Sequence, residues 1–348
     1  MLQVTGQVLF AIAYIGATLL VLRNVVGGGG TVGDVVLVIS LAAQVNTQVT
    51  TAVFLLVGLQ RISRTLANLK WIRELVMKDL PTPDLHLPKT IGEGISLHGV
   101  SFTYPGTERA VLGGVDLDLP SVSTVAIVGE NGAGKTTLVK LLCRFYEQTD
   151  GVIELDGVDL RRFPLDEWRR RIAAGFQDFA RFEMLAREVI GVGDLPKIDD
   201  AKAVTGALRR ARGDDLLKRL DNGLETQLGK TYADGTDLSG GQWQKLALGR
   251  AMMRETPLLL ILDEPTSALD AQAEHNLFEE YAASAKRVAK KTGAVTILVS
   301  HRFSTVRMAD LILVVNDGRI QESGTHNQLM RLGGLYADLY SMQAKAYS

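Results

Sequence analysis

Residues 129–136 read Gly-Glu-Asn-Gly-Ala-Gly-Lys-Thr, and no other stretch restricts the folding of this chain so tightly. The spacing is that of a phosphate loop, G-x-x-x-x-G-K-[ST], which needs a strand before it and a helix after it. Thr124–Val128 is a short apolar run of strand type, and the residues after Gly134 follow a helical pattern. Leu258–Leu262 and Ala294–Val299 are two more continuous apolar runs. Their length fits parallel strands buried on both faces. Helical patterns lie between them, so the predicted class is α/β.

The glycines of such a loop let backbone N–H groups close on phosphate oxygens, and the helix start adds its positive end. Gly129, Glu130, Asn131, Gly132, Ala133, Gly134, Lys135, Thr136 and Thr137 are the candidate cradle. Lys135 is placed to neutralise the β- and γ-phosphates of a nucleotide, and the Thr136 hydroxyl to hold Mg²⁺. At the end of the second apolar run, Asp263 and Glu264 stand where open α/β sheets bind ligands. Asp263 suits the metal. Glu264 points differently and suits the base that polarises an attacking water. Leu238-Ser239-Gly240-Gly241-Gln242 opens a further helix, and its start is either a second anion site or a capped helix end.

Charge is distributed unevenly. Residues 1–60 carry only Arg23 and Asp34, whereas 75 of the other 288 residues are charged. Val4–Leu22 is an uncharged run that spans roughly 29 Å as a helix, close to the hydrocarbon thickness of a bilayer. Arg23-Asn24 and Gly27–Gly30 break it, and a second uncharged run covers Val35–Gln60. Two membrane helices are predicted, at about 4–23 and 32–60, within a partial transmembrane domain at 1–78. Arg61, Arg64, Lys70 and Arg73 follow the second and place that end in the cytoplasm. Ser40, Gln44, Gln48 and Thr51 share one helix face, as hydrogen-bonding groups between helices or as the wall of a solute path. The proline-rich 79–92 reads as a linker, and 93–348 as the charged domain. A net charge of −1 offers no electrostatic case for nucleic acid. The single Cys143 excludes an internal disulfide and a zinc site of several cysteines.

GENGAGKTT, LSGGQ, LLLILDEPTSALD and VSHR stand in the order and spacing of the nucleotide-binding domain of ATP-binding-cassette (ABC) transporters. The apolar hairpin and linker resemble the last two membrane helices of an exporter-type half-transporter. The resemblance implies a P-loop NTPase fold with a mixed sheet core and a helical subdomain. It also implies ATP and Mg²⁺ as ligands. Tyr104, 25 residues before Gly129, matches the aromatic residue that stacks on adenine, although a tyrosine at a strand end also packs on neighbours. Gln177 matches the glutamine that senses the metal and contacts the membrane domain. His301 matches the switch histidine at the γ-phosphate. Asp270 matches a residue that contacts the opposite subunit. His86, His98, His275 and His326 read as surface residues.

In this family two such domains, in a homodimer or a heterodimer, sandwich ATP between the phosphate loop of one and the Ser239, Gly240, Gly241, Gln242 segment of the other. The expected function is ATP hydrolysis coupled to export of a lipid, peptide or drug-like solute. The expected location is the cell membrane, with several crossings, lipid contact and a cytoplasmic nucleotide domain. An exporter-fold importer of siderophore type and a non-transport ABC ATPase are the alternatives. Two departures stand out. Thr231–Gly235 offers Asp234 where exporters often carry a glutamate. Two membrane helices are visible where a half-transporter has six, so the sequence reads as a fragment or as one that draws helices from another chain.

Overall fold

The computed structural model describes residues 2–76, 83–263, 283, 285–300 and 303–346. Two units divide near position 80.

In the first unit, α1 (Leu2–Val26) and α2 (Val32–Val76) form a helical hairpin. Gly27 N–H still donates to Arg23 O (3.0 Å), but Gly28 adopts φ 79°, which ends the helix. Asp34 then accepts from the Thr31 N–H at 2.7 Å and holds the start of α2. The 45 residues of α2 extend about 68 Å, so one continuous helix carries both the apolar run and its basic extension. Within α2, Val32–Arg73 is long and apolar enough to cross a membrane, and none of that apolar window is buried. The core helix of a soluble domain would be buried. The described apolar part of α1, Ile12–Val26, is shorter. On the polar face of α2, Ser40 and Thr51 donate to carbonyls of their own helix, Leu37 O (2.9 Å) and Thr47 O (2.8 Å). These two hydroxyls therefore need no partner on another helix.

The second unit is built on two sheets. β1 (Gly94–Thr103), β2 (Ala110–Pro120), β4 (Asp150–Leu155) and β5 (Val158–Asp159) pair antiparallel in the order β2-β1-β4-β5. The larger sheet has the order β10-β9-β3-β8-β7-β6. Its members are β3 (Thr124–Val128), β6 (Ile172–Gly175), β7 (Leu259–Asp263), β8 (Val295–Val299), β9 (Leu311–Asn316) and β10 (Arg319–Gly324). Only the β9–β10 pair is antiparallel. All residues of β3, β7 and β8 are buried, as continuous apolar strands covered on both faces require.

The helix α3 (Lys135–Leu142) lies in the core that joins the two sheets. Next to it, α4 (Leu165–Arg170) donates the Trp168 indole N–H to Leu142 O at 2.9 Å. A second core gathers α5 (Ala186–Gly191), α6 (Ala201–Arg210), α7 (Asp214–Leu217) and α8 (Gly240–Ala251) against β6 and β7. The expected helical subdomain is therefore present. A third core packs Val306, Leu329 and Tyr336 on β3 and β9.

The described part of the proline-rich segment is bound to this unit. Asp84 pairs with Arg162 at 2.6 Å, and the Glu167 carboxylate accepts from Leu87 N–H at 3.1 Å. Leu85 and Leu87 pack against the first core. His326 departs from the surface reading. Its Nδ1 lies 2.8 Å from the Tyr336 hydroxyl, and its ring meets those of Tyr336 and Tyr340. Burial and the neighbouring Arg307 lower its pKa.

Candidate functional site

The parallel strands end on one edge of the large sheet. Register sets the alignment: Ile127 pairs with Val299, Val299 with Asp263, and Leu262 with Gly175. The phosphate loop after β3, Ser300 after β8, Asp263 at the end of β7 and Gln177 after β6 therefore share that edge. Glu264, Asp270 and His301 lie outside the described residues, as does His275. They follow the ends of β7 and β8 in the sequence.

The loop between β3 and α3 is shaped by glycines that cannot be replaced in kind. A Cβ on Gly129, at φ 147°, would stand 2.1 Å from Val315 O of β9. On Gly134, at φ 108°, it would stand 2.8 Å from Leu112 Cδ2. Gly318 N–H donates to Ala133 O (3.1 Å), which ties the loop to the β9–β10 turn. The chain thus passes against backbone on one side and leaves its other side open. Gly132, at φ 82°, has nothing within 4 Å of a Cβ position. Glu130, Asn131, Gly132 and Thr136 are exposed, while Ala133, Gly134 and Thr137 are buried.

The helix start behind this loop has no side-chain cap: Gly134 occupies the N-cap position in the left-handed conformation. The first N–H groups of a helix have no intrahelical acceptor, so an uncapped start suits an anion. Lys135 is 6% exposed, and its ammonium donates to Gly129 O (2.9 Å) and Glu130 O (2.8 Å). The cation is thus held inside the curve of the loop that phosphate would enter. These features fit a nucleotide polyphosphate.

Tyr104 ends just past β1, and the fold brings it to the same helix. Its hydroxyl lies 3.1 Å from Thr137 Oγ1. Edge contacts with Phe102 (4.8 Å) and Tyr146 (5.2 Å) fix the ring. The ring packs on its neighbours, and the hydroxyl reaches the helix that follows the phosphate loop. Sequence reasoning missed Tyr146, Phe102 and Gly318. Only Gly318, after an aspartate at a turn, left a readable trace.

For the metal, Asp263 is 5% exposed at its strand end, whereas Thr136 and Gln177 are exposed. Among the described residues no group of three or more His, Cys, Asp or Glu could hold a metal ion. A Mg²⁺ that takes one carboxylate, one hydroxyl and phosphate oxygens needs no such group.

The second glycine helix is of another kind. Ser239 Oγ accepts from Gln242 N–H (3.3 Å), and Gln242 Oε1 accepts from Ser239 N–H (2.7 Å), a full capping box. Gly240 is exposed with nothing within 4 Å of a Cβ position, and Gly241 is half-buried. Farther along α8, the Lys245 ammonium binds both oxygens of Asp215 (2.7 and 2.9 Å), and this bond lowers the Asp215 pKa. Arg250 donates to Val189 O (3.0 Å) and Ala180 O (3.1 Å) and lies over the Phe182 ring; burial lowers its pKa. The helix is fixed along its length while its glycine end faces solvent.

The ABC transporter family pattern matches residues 112–267. The ATP-dependent lipid A-core flippase of Chromohalobacter salexigens is 40% identical over 258 residues, 74% of this chain and 42% of that protein. The flippase of Escherichia coli K12 is 38% identical over 249 residues, 72% of this chain and 41% of that protein. The subtilin transport ATP-binding protein SpaT of Bacillus subtilis is 38% identical over 242 residues, 70% of this chain and 38% of that protein. The chain spans about two fifths of the length of these curated relatives. A solved structure of a bacterial Atm1-family ABC exporter with ATP bound superposes with TM-score 0.67 and 29% identity, over 98% of this chain and 57% of that one. The chain carries an ABC transporter nucleotide-binding domain, homologous to those of exporter-type half-transporters.

Proposed function

We propose that this chain binds ATP in the cradle Gly129–Thr137, hydrolyses it, and couples turnover to movement of a solute across the membrane that α1 and α2 enter. The observation that carries the reading is the uncapped start of α3 behind a glycine loop, with Lys135 held in its curve. Tyr104 takes the adenine face. Thr136, Asp263 and Gln177 are the protein groups for Mg²⁺, which supplies charge neutralisation on the phosphates. Lys135 leaves the Gly129 and Glu130 carbonyls for phosphate oxygens as ATP enters. Glu264 accepts a proton from water as the water oxygen bonds to the γ-phosphorus and the bond to the β–γ bridging oxygen breaks. His301 donates to a γ-phosphate oxygen and orients water.

The exposed glycine end of α8 faces a second domain in this reading. Ser239, Gly240, Gly241 and Gln242 close on the nucleotide held by the partner subunit, and Asp270 contacts that subunit. The partner is an identical or a related half-transporter. The related flippases and the subtilin transporter are named for different cargoes, so the cargo here is left open among lipid, peptide and drug-like solutes.

ATP turnover by the purified 348-residue chain in detergent, with and without EDTA, tests the reading. Mg²⁺-dependent phosphate release that Lys135→Ala abolishes is expected. Release unaffected by Lys135→Ala would reject the cradle.

A further inference from the structure

On the opposite edge of the large sheet from the phosphate loop lies a cavity of about 230 Å³. Its floor lies along the strand starts: Ala173 near the start of β6, Leu260 near the start of β7, Ala294 just before β8 and Thr296 near its start. All four are at most 7% exposed. Val288, on the helical residues 285–292, forms one wall. Among the described residues, Arg210, Arg254 and the exposed Glu255 are the charged groups of the rim.

Both guanidinium groups hold backbone. Arg210 donates through Nε (3.3 Å) and Nη2 (2.8 Å) to Met252 O, the C-cap of α8. Arg254 donates through Nε to Gly193 O (3.0 Å) and through Nη1 to Ile172 O (2.6 Å) and Arg169 O. An arginine has five N–H donors, so each retains some beyond these bonds. The Nη1 edge of Arg210 lies outside its two bonds, beside Gly206.

The charge around the cavity is not balanced. Lys197 lies 4.0 Å from Glu255 and 3.8 Å from Asp194. Among the described residues, Arg210, Arg254 and Lys197 outnumber Glu255 and Asp194 by one. Burial lowers the pKa of Arg210 and of Arg254, against a smaller opposing pull from Glu255 on the first and from Asp194 on the second. Two partly desolvated cations whose hydrogen bonds go to neutral carbonyls gain from an added anion.

Size and lining set the rest of the ligand. An apolar cavity near 150 Å³ accepts benzene. The larger volume here admits one ring or a short branched chain plus a carboxylate. We infer that this cavity is an accessory binding site for a small amphipathic monoanion, an aromatic or branched-chain carboxylate. The apolar part rests on Leu260, Ala294 and Val288, and the carboxylate meets Arg210 and Arg254. The occupant touches Arg210, which anchors the C-terminal end of α8. The site is separate from the nucleotide cradle and does not depend on the function proposed above.

The test uses 4-fluorobenzoate as probe, followed by ¹⁹F NMR with the full 348-residue chain in detergent and protein-free micelles as blank. Saturable binding with a Kd of about 1 mM is expected, the affinity of a ligand of this size at ordinary efficiency per atom. The neutral 4-fluorobenzamide should bind at least about tenfold more weakly, because it lacks the charge that the guanidinium groups select. Arg210→Gln should raise the benzoate Kd about tenfold. Val288→Trp, which fills the cavity from a half-buried wall position, should abolish binding. Amide binding as tight as benzoate, a Kd unchanged in both variants, or no saturable signal above the blank up to about 20 mM would each overturn the inference.

Discussion

Gly129 and Gly132 belong to one loop, yet alanine at the two positions should have different consequences. At Gly132 the added methyl meets open space, and the cost is the left-handed backbone, about 1–2 kcal/mol. At Gly129 the backbone sits at φ 147°, a region reserved for glycine, at about 1–3 kcal/mol. The methyl would also stand 2.1 Å from the Val315 carbonyl oxygen. That oxygen is backbone of an inner strand, where Val315 pairs with Ile320 of β10, and cannot rotate away, so the overlap adds about 1–3 kcal/mol. The total is about 4 kcal/mol for Gly129→Ala. For a domain of this size each kcal/mol moves the midpoint by about 2–4 °C. Gly129→Ala should therefore lower Tm by about 8–16 °C, and Gly132→Ala by about 3–6 °C. Thermal melts of the purified chain, followed by circular dichroism in one detergent, measure both. Equal shifts, or a larger shift for Gly132→Ala, would refute the argument that the close approach to β9 shapes the loop.

Other perturbations separate the roles of neighbouring groups. Glu264→Gln should keep ATP affinity and lose at least about a hundredfold in turnover, with an ATP-dependent dimer that persists on size-exclusion; hydrolysis at the parental rate would remove Glu264 as the base. Tyr104→Phe should lose only the bond to Thr137 and bind ATP nearly as the parent, while Tyr104→Ala should weaken binding about tenfold or more by loss of stacking; equal effects would place the hydroxyl, not the ring, at the nucleotide. Asp215→Asn should destabilise the chain by under about 1 kcal/mol at pH 7, because the pair with Lys245 is partly exposed. The folded-state pKa of Asp215 lies below its ordinary 3.8, so its contribution is present above pH 3.8 and lost as pH falls through the folded value. Denaturant melts of parent and variant should converge below that pH, and a gap that persists there would contradict the assignment.

What the sequence revealed, and what it hid, follows from the range of the interactions involved. β3, β7 and β8 were readable because burial on both faces leaves an unbroken apolar run. β7 extends to Asp263, one residue beyond its apolar run, because that residue still pairs with Val299 in the ladder. The phosphate loop was readable because its function is written in contiguous residues. The antiparallel sheet was not read, although β2 alternates along Val115–Leu119, because bulges interrupt its pairing with β1. The approach of Gly318 to Val111, the bond from Tyr104 to Thr137 and the bond from His326 to Tyr336 join residues far apart in the chain or on different elements. No local pattern encodes such contacts. The docking of Asp84 and Leu87 on Arg162 and Glu167 was hidden for the same reason, and the prolines there indicated only a linker.

The central claim is that two chains build each ATP site, and mixing two inactive variants tests it most directly. Lys135→Ala removes the cradle cation. Gly240→Asp adds a negative charge where a Cβ meets no other part of the chain within 4 Å, so it spares the fold and blocks only what approaches from outside. Each variant alone should hydrolyse no ATP. In an equimolar mixture, half of the dimers are mixed, and each of these joins one intact cradle to one intact segment of Ser239, Gly240, Gly241 and Gln242. ATPase activity should return to about a quarter of the parental rate per chain. A Gly240→Asp chain that is fully active alone, or a mixture that stays inactive while mixed dimers are demonstrated, would contradict the composite site.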